Sequence, residues 1–452
     1  LDAASSLFLA ITSVLFLAAS FYAVGYLARG HQHTTSLPDE ARPFRDFPEA
    51  TFTGCYLLFL AAMTLVLVSR HWGLMWVAVE ATTLASAPLI YYHRCARSLE
   101  ATWKYLVICS VGIALALLGN FFLAVAAKTA SAAPFHLSVG ELEQHAAELD
   151  PRWLKAAFLL LLVGYGTKMG LAPMHTWLPD AHSEAPSVIS ALLSGVLLNC
   201  AFLPILRSHA LLVKAGLGAF SQDLLVLFGL TSMAVAALFI IRQMDFKRLL
   251  AYSSVEHMGI LVLGVGIGGI AGFGSMLHAA NHSIVKAMLF LVAGNTLAHV
   301  RTKSTRETRG LRRVLPVTGT LWIVGLLAIA GSPPFGIFLS ELTILKGILD
   351  AGRMLVAISY LGMLSIVFIG MSAIILPMVY GALPRPETLA TASGTTGNAP
   401  FPNEPPSAAS ESWWSIAPPL LLAAVALVLG LYLPHQFTAL LHQAAAAVGA
   451  EP

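Results

Sequence analysis

Three charged residues lie deep inside long apolar segments of this chain. Lys168 follows the run AAFLLLLVGY, and its side chain is too far along the segment to reach the charged ends at Lys155 and Asp180. Glu80 lies in the middle of WGLMWVAVEATTLASAPLIYY, and Glu341 lies in PPFGIFLSELTILKG. An ionisable residue at membrane depth costs at least about 2.5–3.5 kcal/mol, so each is a functional candidate that should have a partner.

A lysine and a glutamate buried together can act as a proton switch. Removal from water favours the neutral form of each group, whereas a nearby opposite charge favours the charged form. Separating the pair would therefore release the lysine proton, and restoring it would reload the lysine. The alternative for Lys168 is a static salt bridge that fixes helix register.

A second set of ionisable groups repeats along one predicted helix. HAANHSIVKAMLF places His278, His282 and Lys286 four residues apart, and therefore on one helix face. Because histidine both accepts and donates protons near neutral pH, this ladder predicts a proton wire. A zinc site on the two histidines is the alternative, although no third ligand stands at a recognisable spacing. His257 would extend the wire, with Glu256 near the cytoplasmic rim as part of the access route.

Four further polar residues follow Lys168. His175 either packs as a hydrogen-bonded polar residue or takes part in the relay. Asp180, His182 and Glu184 are expected at the membrane surface, where a solvated cap and turn is favoured over a proton-transfer role.

The composition places these residues in a polytopic membrane protein. Of 452 residues, 57% are hydrophobic and 11% are charged, whereas soluble domains carry about 25% charged residues. We therefore interpret the basic residues behind the net charge of +3 as setting the membrane topology rather than as binding nucleic acid. The four cysteines are scattered without a CxxC pair. We expect no cofactor or metal bound by this chain, because no zinc, haem or iron–sulfur framework is indicated.

Twelve segments are long and apolar enough to cross a bilayer, which takes about 20 residues each. They are 7–28, 52–69, 72–92, 103–127, 153–182, 186–207, 219–241, 249–270, 272–299, 315–350, 354–381 and 413–435. The segments 153–182 and 315–350 are too long for one straight span and contain glycine and proline near their middle. A matching pair of broken helices indicates inverted repeats. We therefore predict one all-α transmembrane domain over 1–452, with repeats at about 52–207 and 219–381.

Basic residues orient the chain in the membrane. Loops after odd-numbered segments hold 16 lysines and arginines, and the other loops hold 8. By the positive-inside rule the odd loops are cytoplasmic, and both termini lie outside. The Pro-, Ser-, Thr- and Gly-rich stretch 383–412 is interpreted as a flexible cytoplasmic linker before the last helix at 413–435. GVGIGG at 264–269 matches GxGxxG, but no strand precedes it, so we interpret it as helix packing by small residues.

Four ordered motifs resemble the antiporter-like membrane subunits of respiratory complex I, the Mrp antiporters and the group-four membrane-bound hydrogenases. The motifs are GTKMGLAPMHTWLPDAHSEAPSVISALLSGVLLN, DFKRLLAYSSVEHMG, HAANHSIVKAMLFLVAG and PPFGIFLSELTIL. They are most similar to the hydrogenase-four component F type, and the resemblance covers nearly the whole chain.

The resemblance implies a role for each matching position. Glu80 matches the glutamate of the fifth family helix, and Lys168 matches the lysine of the broken seventh helix, its salt-bridge partner. The ladder on the predicted helix at 272–299 matches the central hydrophilic axis. Glu341 matches the exit-side group of the second broken helix, and His257 matches a histidine at the start of the tenth family helix.

Two features depart from the family pattern. Asn199 stands where family members often carry a lysine. Because asparagine cannot hold a proton in this pH range, the central step is expected to use the histidines, Lys286 or water. The family has fourteen spans and this sequence has twelve, so two helices before the first segment are expected to be truncated or to belong to a separate piece.

The resemblance implies a proton-translocating subunit, without a redox centre of its own, in a complex of the NADH:quinone oxidoreductase or membrane-bound hydrogenase type. Its expected partners are other membrane subunits, peripheral iron–sulfur, hydrogenase or dehydrogenase subunits, and the lipid of a bacterial or archaeal cytoplasmic membrane. One alternative is a Na⁺/H⁺ antiporter or ion-driven inorganic-carbon uptake module without redox partners. Another is a non-pumping structural subunit. The residues do not decide between H⁺ and Na⁺ as the cargo.

Overall fold

The structure, a computed structural model, describes residues 1–34, 47–130, 136–382, 411–447 and 449. Within these ranges the chain is helical, with two isolated β-bridges and no strand. The predicted linker at 383–412 lies outside the described residues, apart from its last two positions.

Helices form at every predicted segment. In chain order they are α1 (Ala3–Thr34), α2 (Glu49–Val68), α3 (Trp72–Ile90), α4 (Ala96–Ala130), the short α5 (Val139–Gln144), α6 (Pro151–Met169), α7 (Trp177–Glu184), α8 (Ser187–Lys214), α9 (Gly218–Ile240), α10 (Phe246–Ile267), α11 (Ile270–Val300), the short α12 (Leu311–Val314), α13 (Pro316–Ile329), α14 (Gly336–Asp350), α15 (Met354–Tyr380), α16 (Trp413–Leu431) and α17 (His435–Ala447). Among the described residues, eleven helices can span a membrane, with α6 and α7 taken as one. The interrupted pair α13 and α14 forms the twelfth segment, so the all-α polytopic fold is confirmed. The division into two repeats stays a prediction.

Glycines allow neighbouring helices to approach closely. A Cβ built on Gly259 of α10 would lie 2.7 Å from the carbonyl oxygen of Gly229 in α9, and one built on Gly164 of α6 would lie 2.6 Å from that of Gly112 in α4. Small residues play this part in membrane helix pairs. The GVGIGG stretch at 264–269 packs in the same way against α9, α11 and α14 before its last two glycines turn the chain into α11. Its interpretation as a packing motif is confirmed.

One face of the bundle carries a polar vestibule, a cavity of about 720 Å³. Its charged lining residues are Arg97, Glu100, Lys104, Asp180, Glu184, Asp245, Arg248, Arg301 and Lys303. These residues come from the first half of α4, from α7, from the α9–α10 connection and the first turn of α10, and from the loop after α11. The chain around four of the loops that the sequence assigns to the cytoplasm, those after segments 3, 5, 7 and 9, therefore meets on one side of the bundle.

Replacing Gly259 by alanine should destabilise the bundle, because the new Cβ would press on Gly229 and would lie 3.0 Å from Ser232 Cβ. We expect a loss of about 1–3 kcal/mol, the usual effect of overpacking. Thermal unfolding in detergent, followed with a thiol-reactive dye, measures the change. Gly362→Ala on α15 is the matched control, because no described atom lies within 4 Å of a Cβ built there. An equal drop in Tm for both variants would contradict this packing account.

Candidate functional site

The first interrupted helix ends directly after Lys168. Gly170 adopts φ +84°, a left-handed conformation that suits glycine, and the Leu171 amide donates to the Gly166 carbonyl at 2.8 Å. This glycine-based cap closes the last turn of α6. It places Lys168 in the final helical turn, where the helix dipole favours a cation.

Two side chains satisfy backbone groups that the break leaves open. Trp177 Nε1 donates to the Thr167 carbonyl at 2.8 Å, and the Ala172 amide donates to Ser232 Oγ at 3.0 Å. Non-helical backbone at membrane depth requires such partners. The break is therefore stabilised by one side chain of α7 and one of α9.

Lys168 is fully buried, and a hydroxyl stands between it and Glu80. Lys168 Nζ donates to Thr83 Oγ1 at 2.8 Å and to the Tyr105 hydroxyl at 2.6 Å. Thr83 Oγ1 donates to Glu80 Oε2 at 3.3 Å, and Ser110 of α4 donates to Glu80 Oε1 at 2.9 Å. The predicted direct salt bridge is wrong, since no Glu80 oxygen lies within 4.0 Å of Lys168 Nζ. Lys168 lies level with Thr83, about one turn further along α3 than the carboxylate.

Thr83 and Tyr105 are the two contacts of Lys168 that sequence reasoning missed. The Tyr105 hydroxyl also lies 2.6 Å from Ser86 Oγ, and its ring centroid is 4.5 Å from Lys168 Nζ. Thr83 and Ser86 follow Glu80 at steps of three residues on one helix face, a spacing that could have indicated them. Nothing in the sequence indicates Tyr105, because it comes from α4.

Two histidines on α10 and α11 share a hydrogen bond. His257 Nδ1 lies 2.9 Å from His278 Nε2, and His278 Nδ1 lies 2.9 Å from Ser340 Oγ of α14. Ser340 gives its single hydroxyl proton to the Ile337 carbonyl, so its oxygen accepts from His278 Nδ1–H. In the tautomer that this pattern favours, His257 Nδ1–H donates to His278 Nε2. His257 Nε2 then carries no proton, and it has no hydrogen-bond partner among the described residues.

The rest of the ladder also faces α10. The His282 ring centroid lies 5.2 Å from that of His257, and neither of its ring nitrogens has a partner in the described part of the chain. Lys286 Nζ donates to the Leu250 carbonyl at 2.6 Å and to Ser253 Oγ. The predicted ladder is thus fully buried between two helices.

Glu256 lies inside the bundle rather than near the cytoplasmic rim. It is 2% exposed. The predicted position at the rim is wrong, because α10 begins at Phe246 and runs about 15 Å inward before it reaches Glu256.

Glu341 stands beside the second helix break. Gly331 there has φ +61°, and a Cβ built on it would lie 2.0 Å from Glu341 Oε2. The carboxylate therefore rests on the glycine of the break. A cavity of about 520 Å³ between α14 and α15 is lined by Glu341, Gly331, Tyr360 and Ser365 together with apolar side chains.

Asp180 and Glu184 line the polar vestibule. Asp180 forms ion pairs with Lys104 at 3.0 Å and Arg248 at 2.5 Å, and Glu184 pairs with Lys303 at 2.8 Å. Their position at the protein surface agrees with the sequence, but they join separate helices instead of forming a solvated cap and turn.

His182 departs from the predicted surface position. It is 0% exposed, its ring stacks on Phe290 of α11 at 4.9 Å, and neither ring nitrogen has a partner among the described residues. Lys247, itself buried, donates to the Ala185 carbonyl at 2.5 Å. The His182 ring therefore packs against α11, the helix that carries the ladder.

His175 and Asn199 are buried in the bundle. The His175 ring centroid lies 6.2 Å from that of Tyr252, and His175 Nδ1 has no partner in the described ranges. Asn199 Nδ2 donates to Ser283 Oγ at 2.7 Å. Asn199 therefore links α8 to α11, at the position where the family resemblance implies a lysine.

Relatives of known sequence and structure identify the class of this helix bundle. A family profile described as "NADH:quinone oxidoreductase/Mrp antiporter, TM" matches residues 69–369. The hydrogenase-4 component F homolog of Methylacidiphilum infernorum is 40% identical over 333 residues, 73% of this chain and 69% of that protein. Hydrogenase-4 component B of Escherichia coli is 28% identical over 354 residues, 75% of this chain and 49% of that protein, so the chain spans about half the length of that relative.

A solved structure shares the fold over almost the whole chain. The Mrp complex from Dietzia sp. DQ12-45-1b matches with a TM-score of 0.80 at 22% identity, covering 99% of this chain and 83% of that chain. The family match and the eleven apolar helices of the described residues make this an integral, multi-pass membrane protein. This chain belongs to the family of antiporter-like membrane subunits of NADH:quinone oxidoreductases, Mrp antiporters and hydrogenase-type complexes.

Replacing Trp177 by phenylalanine should loosen the first break, because the Thr167 carbonyl would lose its side-chain donor and keep only the Gly170 amide at 3.2 Å. Loss of one intramolecular hydrogen bond costs about 0.5–1.5 kcal/mol. Thermal unfolding in detergent measures the effect. Trp153→Phe is the matched control, because that side chain is 39% exposed. If both variants unfold at the wild-type temperature, the indole N–H of Trp177 does not stabilise the interrupted helix.

Proposed function

We propose that this chain translocates protons as a subunit of a redox-driven membrane complex. The contact between Lys168, Thr83 and Glu80 beside a helix break carries the proposal. A lysine buried without a directly paired carboxylate is poised to lose its proton. A small shift of the break would exchange the Thr83-mediated contact for a direct one, and so would change how strongly Lys168 holds its proton.

The central groups provide the next carriers. Lys286, Glu256 and the histidine pair lie on the facing sides of α10 and α11. Between them and the Lys168 site stands α8, whose Ser194 lies 2.8 Å from Ser254 of α10 and whose Asn199 contacts α11. Asparagine does not titrate, so water and these hydroxyls would carry the proton across α8.

The histidine pair defines a direction for the last steps. A proton that reaches His257 Nε2 lets the Nδ1 proton pass to His278 Nε2. His278 then returns to its neutral form by releasing a proton toward Glu341, which is the acceptor on the exit side. In this scheme the second break, which supports the Glu341 carboxylate, controls release.

Protons suit this axis better than Na⁺. Hard cations prefer oxygen ligands, whereas the axis offers lysine ammonium and imidazole groups.

The hydrogenase-4 names of the two relatives support a redox-driven complex with other membrane subunits and peripheral iron–sulfur, hydrogenase or dehydrogenase subunits. The excess of basic residues supports a cytoplasmic-membrane orientation with both termini outside.

Mild-detergent purification of the chain with everything bound to it tests the setting of the proposal. We expect iron–sulfur subunits of a hydrogenase or quinone reductase to co-purify. Recovery of small antiporter subunits only, or of one non-redox partner, would instead favour an ion antiporter or an ion-driven uptake module.

Lys168→Met and Lys168→Arg test the switch. Methionine removes the charge, and arginine keeps the charge but does not release its proton. We expect both to reduce proton flux to that of empty liposomes, measured with a trapped pH dye under a valinomycin-imposed potential. Lys346→Met, at a position 61% exposed, should keep wild-type flux. Wild-type flux in Lys168→Arg would indicate that a fixed positive charge is enough at this position, and wild-type flux in Lys168→Met would indicate a scaffold.

Thr83→Val tests the hydroxyl between the two charges. It keeps side-chain shape but removes the link from Lys168 to Glu80, so we expect flux to fall several-fold and its pH optimum to move. Thr82→Val is the matched control, because the Thr82 hydroxyl only donates to the Val79 carbonyl of its own helix. The same loss of flux in both variants would argue against a specific role for Thr83.

A further inference from the structure

Three ligating side chains from three helices meet beside the second break. His257 of α10, His278 of α11 and Glu341 of α14 each offer one ligand atom, and these atoms all lie within 4.8 Å of one another. All three side chains are buried. Two imidazole nitrogens and a carboxylate oxygen form a donor set that Zn²⁺ binds in proteins. The sequence offered no third ligand because Glu341 lies 63 residues beyond His278 (341 − 278 = 63).

The geometry requires only small movements to hold an ion. Zn–N and Zn–O bonds of about 2.0–2.2 Å put tetrahedral ligand atoms about 3.3 Å apart. His257 Nδ1 and His278 Nε2 already lie 2.9 Å apart, and Ser340 holds His278 Nδ1, which leaves Nε2 for the metal. Metal-bound histidines commonly have such an outer partner on the second nitrogen.

One neighbouring histidine adds to this environment. His282 has no partner for either ring nitrogen among the described residues, and its ring centroid lies 5.2 Å from that of His257. It therefore offers unpartnered ring nitrogens beside one of the three ligands.

We propose that His257, His278 and Glu341 form an inhibitory binding site for a divalent transition metal ion, with Zn²⁺ as the best fit. The ion would bind the histidine nitrogens that exchange protons in the relay and would hold the Glu341 carboxylate against them. Inhibition rests on the proposed function, but metal binding does not. Because the ligands must be deprotonated, affinity falls as the pH is lowered.

Binding is measured on the purified full chain, stripped with a chelator and titrated with Zn²⁺ by calorimetry. We expect one ion per chain, and two imidazoles with one carboxylate in the X-ray absorption spectrum. His278→Gln and Glu341→Gln should each weaken binding at least about 10-fold. His435→Gln, at an exposed histidine, should leave it unchanged. Wild-type affinity in both site variants overturns the proposal, and thermal unfolding confirms that the variants are folded.

Flux measurements separate this inference from the proposed function. Zn²⁺ at its measured Kd should halve proton flux in wild-type liposomes. If the chain carries proton flux but Zn²⁺ does not bind at these residues, the metal site is wrong and the proposed function stands. Specific binding in a chain that carries no flux supports the site and overturns proton translocation.

Discussion

The burial of one ammonium group, that of Lys168, governs the architecture around it. A charged lysine at membrane depth needs partners, and three helices provide them. Thr83 comes from α3, Tyr105 from α4, and the end of α6 adds the favourable field of its dipole. None of these is a carboxylate, so the lysine is stabilised without being fully neutralised.

Each of the two helix breaks lies next to one buried ionisable residue, and the two residues are of opposite charge type. Lys168 comes just before its glycine, at the carboxyl end of α6, whereas Glu341 follows its glycine, near the amino end of α14. The helix dipole favours a cation at the first place, whereas Glu341 lies in the second turn of α14, beyond the first turn in which the dipole acts. Helical side chains lean toward the amino end, which brings the Glu341 carboxylate back onto Gly331. Each break therefore lies beside one ionisable group, and at Lys168 the end of α6 also favours its charge.

Between the two breaks, hydroxyl groups connect the ionisable side chains through hydrogen bonds. Ser340 lies within hydrogen-bond distance of His278, which in turn lies within that distance of His257. Thr83 plays the equivalent part between Lys168 and Glu80. A serine or threonine can reverse its donor and acceptor roles by rotating one bond, so a protein can alter such links without moving a helix.

The amino-acid sequence by itself determined the membrane class, the twelve apolar segments, both helix breaks and the family. These features depend on local properties: segment length, hydrophobicity, the placement of glycine and proline, and ordered motifs. The sequence also placed His278, His282 and Lys286 on one face, because helical periodicity is local. Only the tertiary structure decided what that face meets. The roles of Thr83 and Tyr105, the burial of Glu256 and His182, and the meeting of Glu341 with two histidines depend on how helices rotate and pack against each other. Periodicity within one helix carries no information about the rotation of its neighbours.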